Sequence, residues 1–242
     1  MTKRSADEEE VAEVRAENKI FLVSVRQCAG FKTRMATQGR EVRVFDVTSR
    51  SKDEAVRCLS PFTACSVTVG DVSRPAFDVP FLANERSYSV EGVWQGLKVF
   101  EREGIDRKRF RVKFSPTSGS GGKLKRGTST ARGRVLGHYA GEDRPLLEYA
   151  EARQTIYLPL YREMLDKYCG AALEHLLEAH EQGDIALVDY TTNADVLDTR
   201  TPLAHASLVK ERIHQMWAER HRAAEEAPPA KKPRIIEIIE ID

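Results

Sequence analysis

The 242-residue sequence predicts an α/β (α+β), helix-rich single domain with a small sheet and disordered tails. Three observations lead there. Strand-like apolar runs recur at 20–25, 41–47 and 185–190. Elsewhere apolar residues return every three or four positions, most extensively from Pro145 to His180, as on the buried face of a helix. A content of 41% hydrophobic and 31% charged residues is ordinary for a soluble protein and sufficient for one sizeable core. The expected organisation is a charged extension over 1–18, a folded domain over 19–222 and a flexible tail over 223–242.

Taken in order, Ile20–Val25 reads as a first strand and Glu41–Val47 as a second, with Val42, Val44 and Asp46 alternating against Arg43, Phe45 and Val47. Turn residues follow at Thr48–Asp53 and again at Leu59-Ser60-Pro61-Phe62. Residues 66–82 read as irregular chain or short strands, because Pro75 and Pro80 limit ladder hydrogen bonding. Val90, Val93, Trp94, Leu97 and Phe100 then predict a helix over about 89–103 that ends at Gly104. Ser89 is its expected N-cap, Glu91 lies in the first turn, and Lys98 falls two turns later on the same side. From Pro145 to His180 the chain reads as helix, kinked or broken at Pro159 and stopped by Gly183. Ile185–Tyr190 is a compact buried strand, Thr191–Val196 a loop, and Pro202 opens a last helix whose apolar face is Ala206, Val209, Ile213, Met216 and Trp217.

Net charge is +1, yet the charges are segregated. No acidic residue occurs between Arg107 and Gly141, where ten Lys and Arg residues flank and interrupt a Ser/Gly/Thr-rich loop. That loop reads either as a solvated surface segment or as a phosphate-contacting one through Lys123, Lys125, Arg126 and Arg132. Gly119-Ser-Gly-Gly-Lys123 is not a P-loop: Leu124 replaces the required hydroxyl residue, and Thr117 stands where the first glycine belongs. Four cysteines without a CxxC pair point to reduced thiols in an intracellular protein. No apolar run approaches a membrane span and the N-terminus lacks a signal-peptide core, so no membrane association is expected. The six histidines are scattered, which predicts no metal, and no cofactor is expected.

The chemistry-bearing residues gather at two places. Asp189, Tyr190, Asn193 and Asp195 stand at the carboxyl end of a buried strand, where open α/β sheets place their sites. Glu91 opens a helix with an apolar face. Cleavage of a glycosidic bond needs one carboxylate to stabilise an oxocarbenium ion or activate water and a second group to handle the proton. Glu91 with Asp189 or Asp195 satisfies that need if they meet in space.

Glu91-x-x-Trp94-Gln95-x-x-Lys98 resembles the signature of the NADAR superfamily. Leu59-Ser60-Pro61-Phe62 is similar to that family's upstream Ser-x-Phe element, with Pro61 where Asn is usual. Arg153–Tyr161 and Ala186–Asp195 resemble its arginine-bearing helical middle and its buried strand and loop. The late Trp-Gly-x-Gly and Leu-Gly-x-x-Leu-Met patterns are absent, with Asp189–Asn193 and Pro202–Leu208, including His205, in their place. The resemblance implies a helix-rich α/β fold and N-glycosidic bond cleavage, with Glu91 as catalytic carboxylate, Trp94 stacking the base and Lys98 orienting Glu91 or a phosphate. Ser60, Gln95, Arg153, Tyr190, Asn193 and His205 complete the expected substrate contacts.

The tail carries Lys231-Lys-Pro-Arg234, similar to a basic import signal, and then Ile235, Ile236, Ile238 and Ile239 among acids, which resembles a SUMO-interacting motif. The sequence therefore predicts an N-glycosidase acting on an ADP-ribosyl or nucleotide substrate, free or within nucleic acid. It would work inside the cell, in the nucleus of a eukaryotic host and otherwise in the cytoplasm. The alternatives are a catalytically inactive nucleotide-, nucleic-acid- or SUMO-binding module, and a structural nucleic-acid-binding protein led by the basic region.

Overall fold

The computed structural model describes residues 18–114 and 131–226, with side chains through residue 222. The extension before residue 18, the loop residues Lys123, Lys125 and Arg126, and the tail isoleucines Ile235, Ile236, Ile238 and Ile239 lie outside the described residues. The fold is mixed α/β. Its central feature is a three-stranded parallel sheet in the order β1–β9–β2, with β1 at Ile20–Ser24, β2 at Val42–Asp46 and β9 at Asp184–Asp189. The register sets Ile20 opposite Ile185 and Phe45 opposite Leu187.

β9 is paired along both edges and buried on both faces, which explains its unbroken run Ile-Ala-Leu-Val. Successive side chains alternate between two cores. Ile185 and Leu187 join Ile20 and Phe45 in the main core, whereas Ala186 and Val188 pack with Val23, Phe31 and Met35. Phe31 and Met35 come from helix α1 (Cys28–Thr37), which covers that second face. The same parity carries Asp189 to the main-core side at the strand's carboxyl end.

Short antiparallel pairs surround this sheet: β3 (Ser66–Val69) with β4 (Val72–Pro75), and β5 (Phe77–Asp78) with β6 (Arg86–Ser87). The 66–82 segment is thus built of short strands, with Pro75 at a strand end, where its missing N–H is tolerated.

The expected helix over 89–103 is much shorter. Helix α2 spans Val90–Gly96, and the chain then forms strand β7 (Lys98–Phe100), antiparallel to β8 (Val135–His138). Two features end the helix. The Gly96 carbonyl accepts from the Asp106 amide (2.8 Å), a partner outside the helix. The buried ring of Phe110 lies so close to Gly96 that any Cβ there would overlap it. Lys98 is consequently a strand residue, and it stands directly opposite His138.

The helical stretch begins at Tyr149 and is interrupted twice. Helix α3 (Tyr149–Ala152) runs into a π-helical turn (Arg153–Tyr157), and helix α4 (Leu158–Tyr168) follows. Pro159 lies in the first turn of α4, where its missing N–H is harmless, and the widened turn before it relieves the contact with the carbonyl four residues back. Helix α5 (Gly170–Gln182) ends at Gly183 as expected. The last helix, α6 (His205–Glu226), starts three residues after Pro202. Ala206, Val209 and Ile213 are buried and Met216 packs beside the main core, but Trp217 departs from that face, 41% exposed and stacked on His221. Among the described residues, no helix is long and apolar enough to cross a membrane.

Candidate active site

Ser89 caps α2 by accepting from the Gly92 amide (3.0 Å), which fixes the helix start and sets Glu91 in its first turn. The Glu91 amide donates to the Pro61 carbonyl (2.9 Å). The Leu59–Phe62 segment and the α2 carboxylate, read from the sequence as separate elements, are therefore joined. Ser60 is buried, its hydroxyl accepting from the Phe62 amide (3.3 Å), so it shapes this turn. The Glu91 side chain is only 9% exposed, and Gln95, one turn later, donates its amide Nε2 to Glu91 Oε1 at 2.7 Å.

Aromatic rings lie beside this carboxylate. Trp94 packs on His138 (ring centroids 4.0 Å apart) and meets Tyr149 and Tyr157 edge-on at 5.5 and 5.7 Å. Tyr157 stacks on Tyr161 at 5.8 Å, and Tyr161 leads to His205 at 6.0 Å. The Tyr161 hydroxyl donates to the Leu59 carbonyl (2.5 Å), tying the row of rings to the segment that holds Glu91. Lys98 Nζ stands 5.8 Å from the Trp94 ring centre. The β7–β8 register produces this cluster, since Lys98 and His138 are cross-strand partners and neighbours on one face.

Charge is distributed unevenly here. Burial, reinforced by the Glu91 and Asp189 carboxylates, holds the Tyr157 phenol well above its ordinary value, so it remains a hydrogen-bond donor at neutral pH. Burial and then the Lys98 ammonium push His138 down to about 3, and a weak approach to the Trp94 main chain does not reverse this. His138 is therefore neutral. His205 behaves oppositely. Burial alone would lower it, but Asp189 outweighs burial and Glu91 adds to the effect, so its pKa is raised. Its Nδ1 lies 3.0 Å from Asp189 Oδ2 and its Nε2 lies 2.7 Å from the Val47 carbonyl. Both neighbours are hydrogen-bond acceptors, an arrangement that favours the doubly protonated, charged ring.

This geometry corrects the expected role of Asp189. Its Oδ1 accepts from the Tyr190 amide (2.6 Å), and its Oδ2 accepts from Ala206 (3.2 Å) and faces His205. A carboxylate so fully engaged and buried is a structural ion-pair partner, not a base open to water. His205 is likewise engaged on both nitrogens and offers neither to a substrate. Asp195 is exposed and caps the Leu197 amide (2.8 Å). The Asn193 side chain turns inward on its own loop, bonding the Asp198 and Thr201 carbonyls at 2.9 and 3.1 Å. Tyr190 is 52% exposed, its hydroxyl 3.5 Å from that of Ser49.

Arg153 is also an internal clamp. It emerges from the π-helical turn, is almost fully buried, and donates to the carbonyls of Val196 (3.0 Å), Asp198 (2.7 Å) and Thr201 (2.6 Å). Its guanidinium covers the Tyr149 ring at 4.6 Å. Arg153→Met is expected to cost about 2–4 kcal/mol, since charged hydrogen bonds are lost and buried carbonyls are left unpaired. Urea denaturation measures this, and Arg153→Lys is expected to recover little, because one ammonium cannot span the fork. Arg132, from the basic region, lies over Phe100 at 5.5 Å and 4.0 Å from the Glu103 carboxylate, so an acid already neighbours it.

The sequence reading missed His138 and Tyr149 and did not single out Tyr157. No local pattern distinguishes them; pairing between strands 35 residues apart brings His138 to Trp94. Among the described residues no group of three or more His, Cys, Asp or Glu side chains is arranged to hold a metal. The open hollow formed by residues 103–109 carries none of the clustered groups.

The fold is mixed α/β, and its candidate site is a buried carboxylate at a helix start, held by an amide and neighboured by aromatic rings. The chain belongs to DUF6939, a family of unknown function, whose model matches residues 29–209 and so spans every group of this cluster. No curated protein matches the sequence.

Proposed function

We propose that this chain is an N-glycosidase that hydrolyses the bond between the anomeric carbon and a base nitrogen in an ADP-ribosylated base or related nucleotide, with Glu91 as the catalytic carboxylate. The observation that carries the reading is Glu91 itself: 9% exposed, oriented by Gln95, and flanked by an aromatic wall. An anion preorganised in a water-poor recess stabilises the positive charge that develops on the sugar as the bond breaks. The bonding electrons leave with the base nitrogen. Water then adds to the anomeric carbon as Glu91 accepts its proton, and that proton returns to the departing base. Trp94 and its neighbouring rings hold the base, and Lys98 neutralises a phosphate of the substrate. The likeness of Glu91-x-x-Trp94-Gln95-x-x-Lys98 to the NADAR signature supports the same assignment.

One observation favours a second reading. Asp189 is engaged by His205 and is not free to handle the proton. A nucleotide-binding module needs only the rings, Lys98 and the Gln95–Glu91 pair. Incubation with DNA carrying ADP-ribosylated guanosine separates the two. Release of ADP-ribose supports the hydrolase; retention of the substrate in a stoichiometric complex without release supports the module.

The basic region as a nucleic-acid contact, the tail as a SUMO-binding strand and a nuclear site of action belong to this proposal and rest on the sequence patterns given above.

A further inference from the structure

His138 is a strongly buried polar group of the cluster to which the mechanism above gives no hydrogen-bonding role. It is 1% exposed, yet among the described residues neither ring nitrogen has a hydrogen-bond partner. Buried polar atoms are nearly always paired, so an imidazole with both nitrogens unmatched needs a reason. Packing does not supply one. A phenylalanine would fill the same space against Trp94 without burying unmatched polar atoms. Nor is the ring a proton donor at neutral pH, because burial and Lys98 keep it neutral. A neutral imidazole offers one donor and one acceptor, on nitrogens that point in different directions, and either can meet a ligand.

We propose that His138 is a ligand-contacting, specificity-determining residue that hydrogen-bonds the polar edge of a heteroaromatic base held against Trp94. The inference rests on the nucleotide reading of this site. The surroundings suit a base edge. Trp94 is the flat neighbour at 4.0 Å, and Tyr149, whose ring centre is 6.4 Å from that of His138, is 37% exposed. Tyr149 is thus the most solvent-exposed ring beside His138. A site that hydrogen-bonds its ligand also rejects analogues lacking the matching group, because its own polar atoms are then left buried and unpaired.

The test uses the full chain, with ADP-ribose and adenosine 5′-monophosphate as calorimetric probes. His138→Phe is expected to melt at or above the wild-type temperature, since it removes unmatched polar atoms, while weakening binding of the better probe at least fivefold. Any smaller loss overturns the inference and leaves the nucleotide reading standing. Failure of the wild type to bind either probe overturns both. Should His138→Phe not fold, the imidazole ¹⁵N resonances of His138 in the unsubstituted protein decide. One nitrogen is expected to shift on saturation with the probe, and unmoved resonances overturn the inference.

Discussion

Glu91→Gln is expected to lower the rate of ADP-ribose release by about 10²–10³-fold, the scale found when one preorganised electrostatic group is removed from an active site. The substitution is chosen for what it preserves. Glutamine has the same shape, and its side-chain oxygen still accepts from Gln95 Nε2, so the contact now 2.7 Å long survives. Only the negative charge disappears. Glu91→Ala is a poorer test, because it removes the contact with Gln95 and leaves a cavity, adding a stability cost to any catalytic one. Single-turnover release from ADP-ribosylated guanosine DNA measures the effect, with thermal melting as the control for folding. Release at the wild-type rate from a folded Glu91→Gln protein would end the proposed mechanism. Charge removal is also expected to leave nucleotide binding largely intact, since the rings and Lys98 remain, which separates a lost step from a lost site.

How much of this was legible in the sequence depended on the range over which each feature is determined. Strand β9 could be read because burial on both faces writes itself into consecutive residues, Ile185 to Val188. The cap at Ser89 and the first-turn position of Glu91 could be read for the same reason: capping is settled within four residues. The end of that helix could not. It is decided by Phe110 pressing on Gly96 and by β8 pairing with residues 98–100, neither of which alters the local apolar period. Lys98 was therefore wrongly read as helical, and its place beside Trp94 comes from strand pairing. Arg153 and Asn193 were singled out for their chemistry, but both are turned on the 196–201 loop, where carbonyl partners satisfy them. Polar residues near a strand end read alike whether they face a ligand or hold the loop that frames it.

Asp189 is the clearest case, and breaking its pair with His205 is expected to have the largest effect on stability. Removing one member of a buried ion pair leaves the other charged and uncompensated, so Asp189→Ala is expected to cost about 3–5 kcal/mol in urea denaturation. Parity of β9 delivers Asp189 to the main-core side, and His205 is the first residue of α6, so their contact locks the helix start to the strand end. The Val47 carbonyl on the far nitrogen adds the chain just after β2 to the same lock. The pH dependence follows from the two directions of shift. His205 is raised in the folded state, so its contribution is complete below the unfolded value of about 6.5 and is lost as pH rises through the folded one. Burial works against Asp189 ionisation, but the charge of His205 and three hydrogen bonds outweigh it and lower its pKa. Its contribution is complete above an unfolded value of about 3.9 and is lost as pH falls through the folded one. The stability gap between wild type and Asp189→Ala is therefore expected to be widest between about pH 4 and 6.5 and to narrow on both sides. A gap that stays flat from pH 3 to 9 would mean that the pair is not ionised.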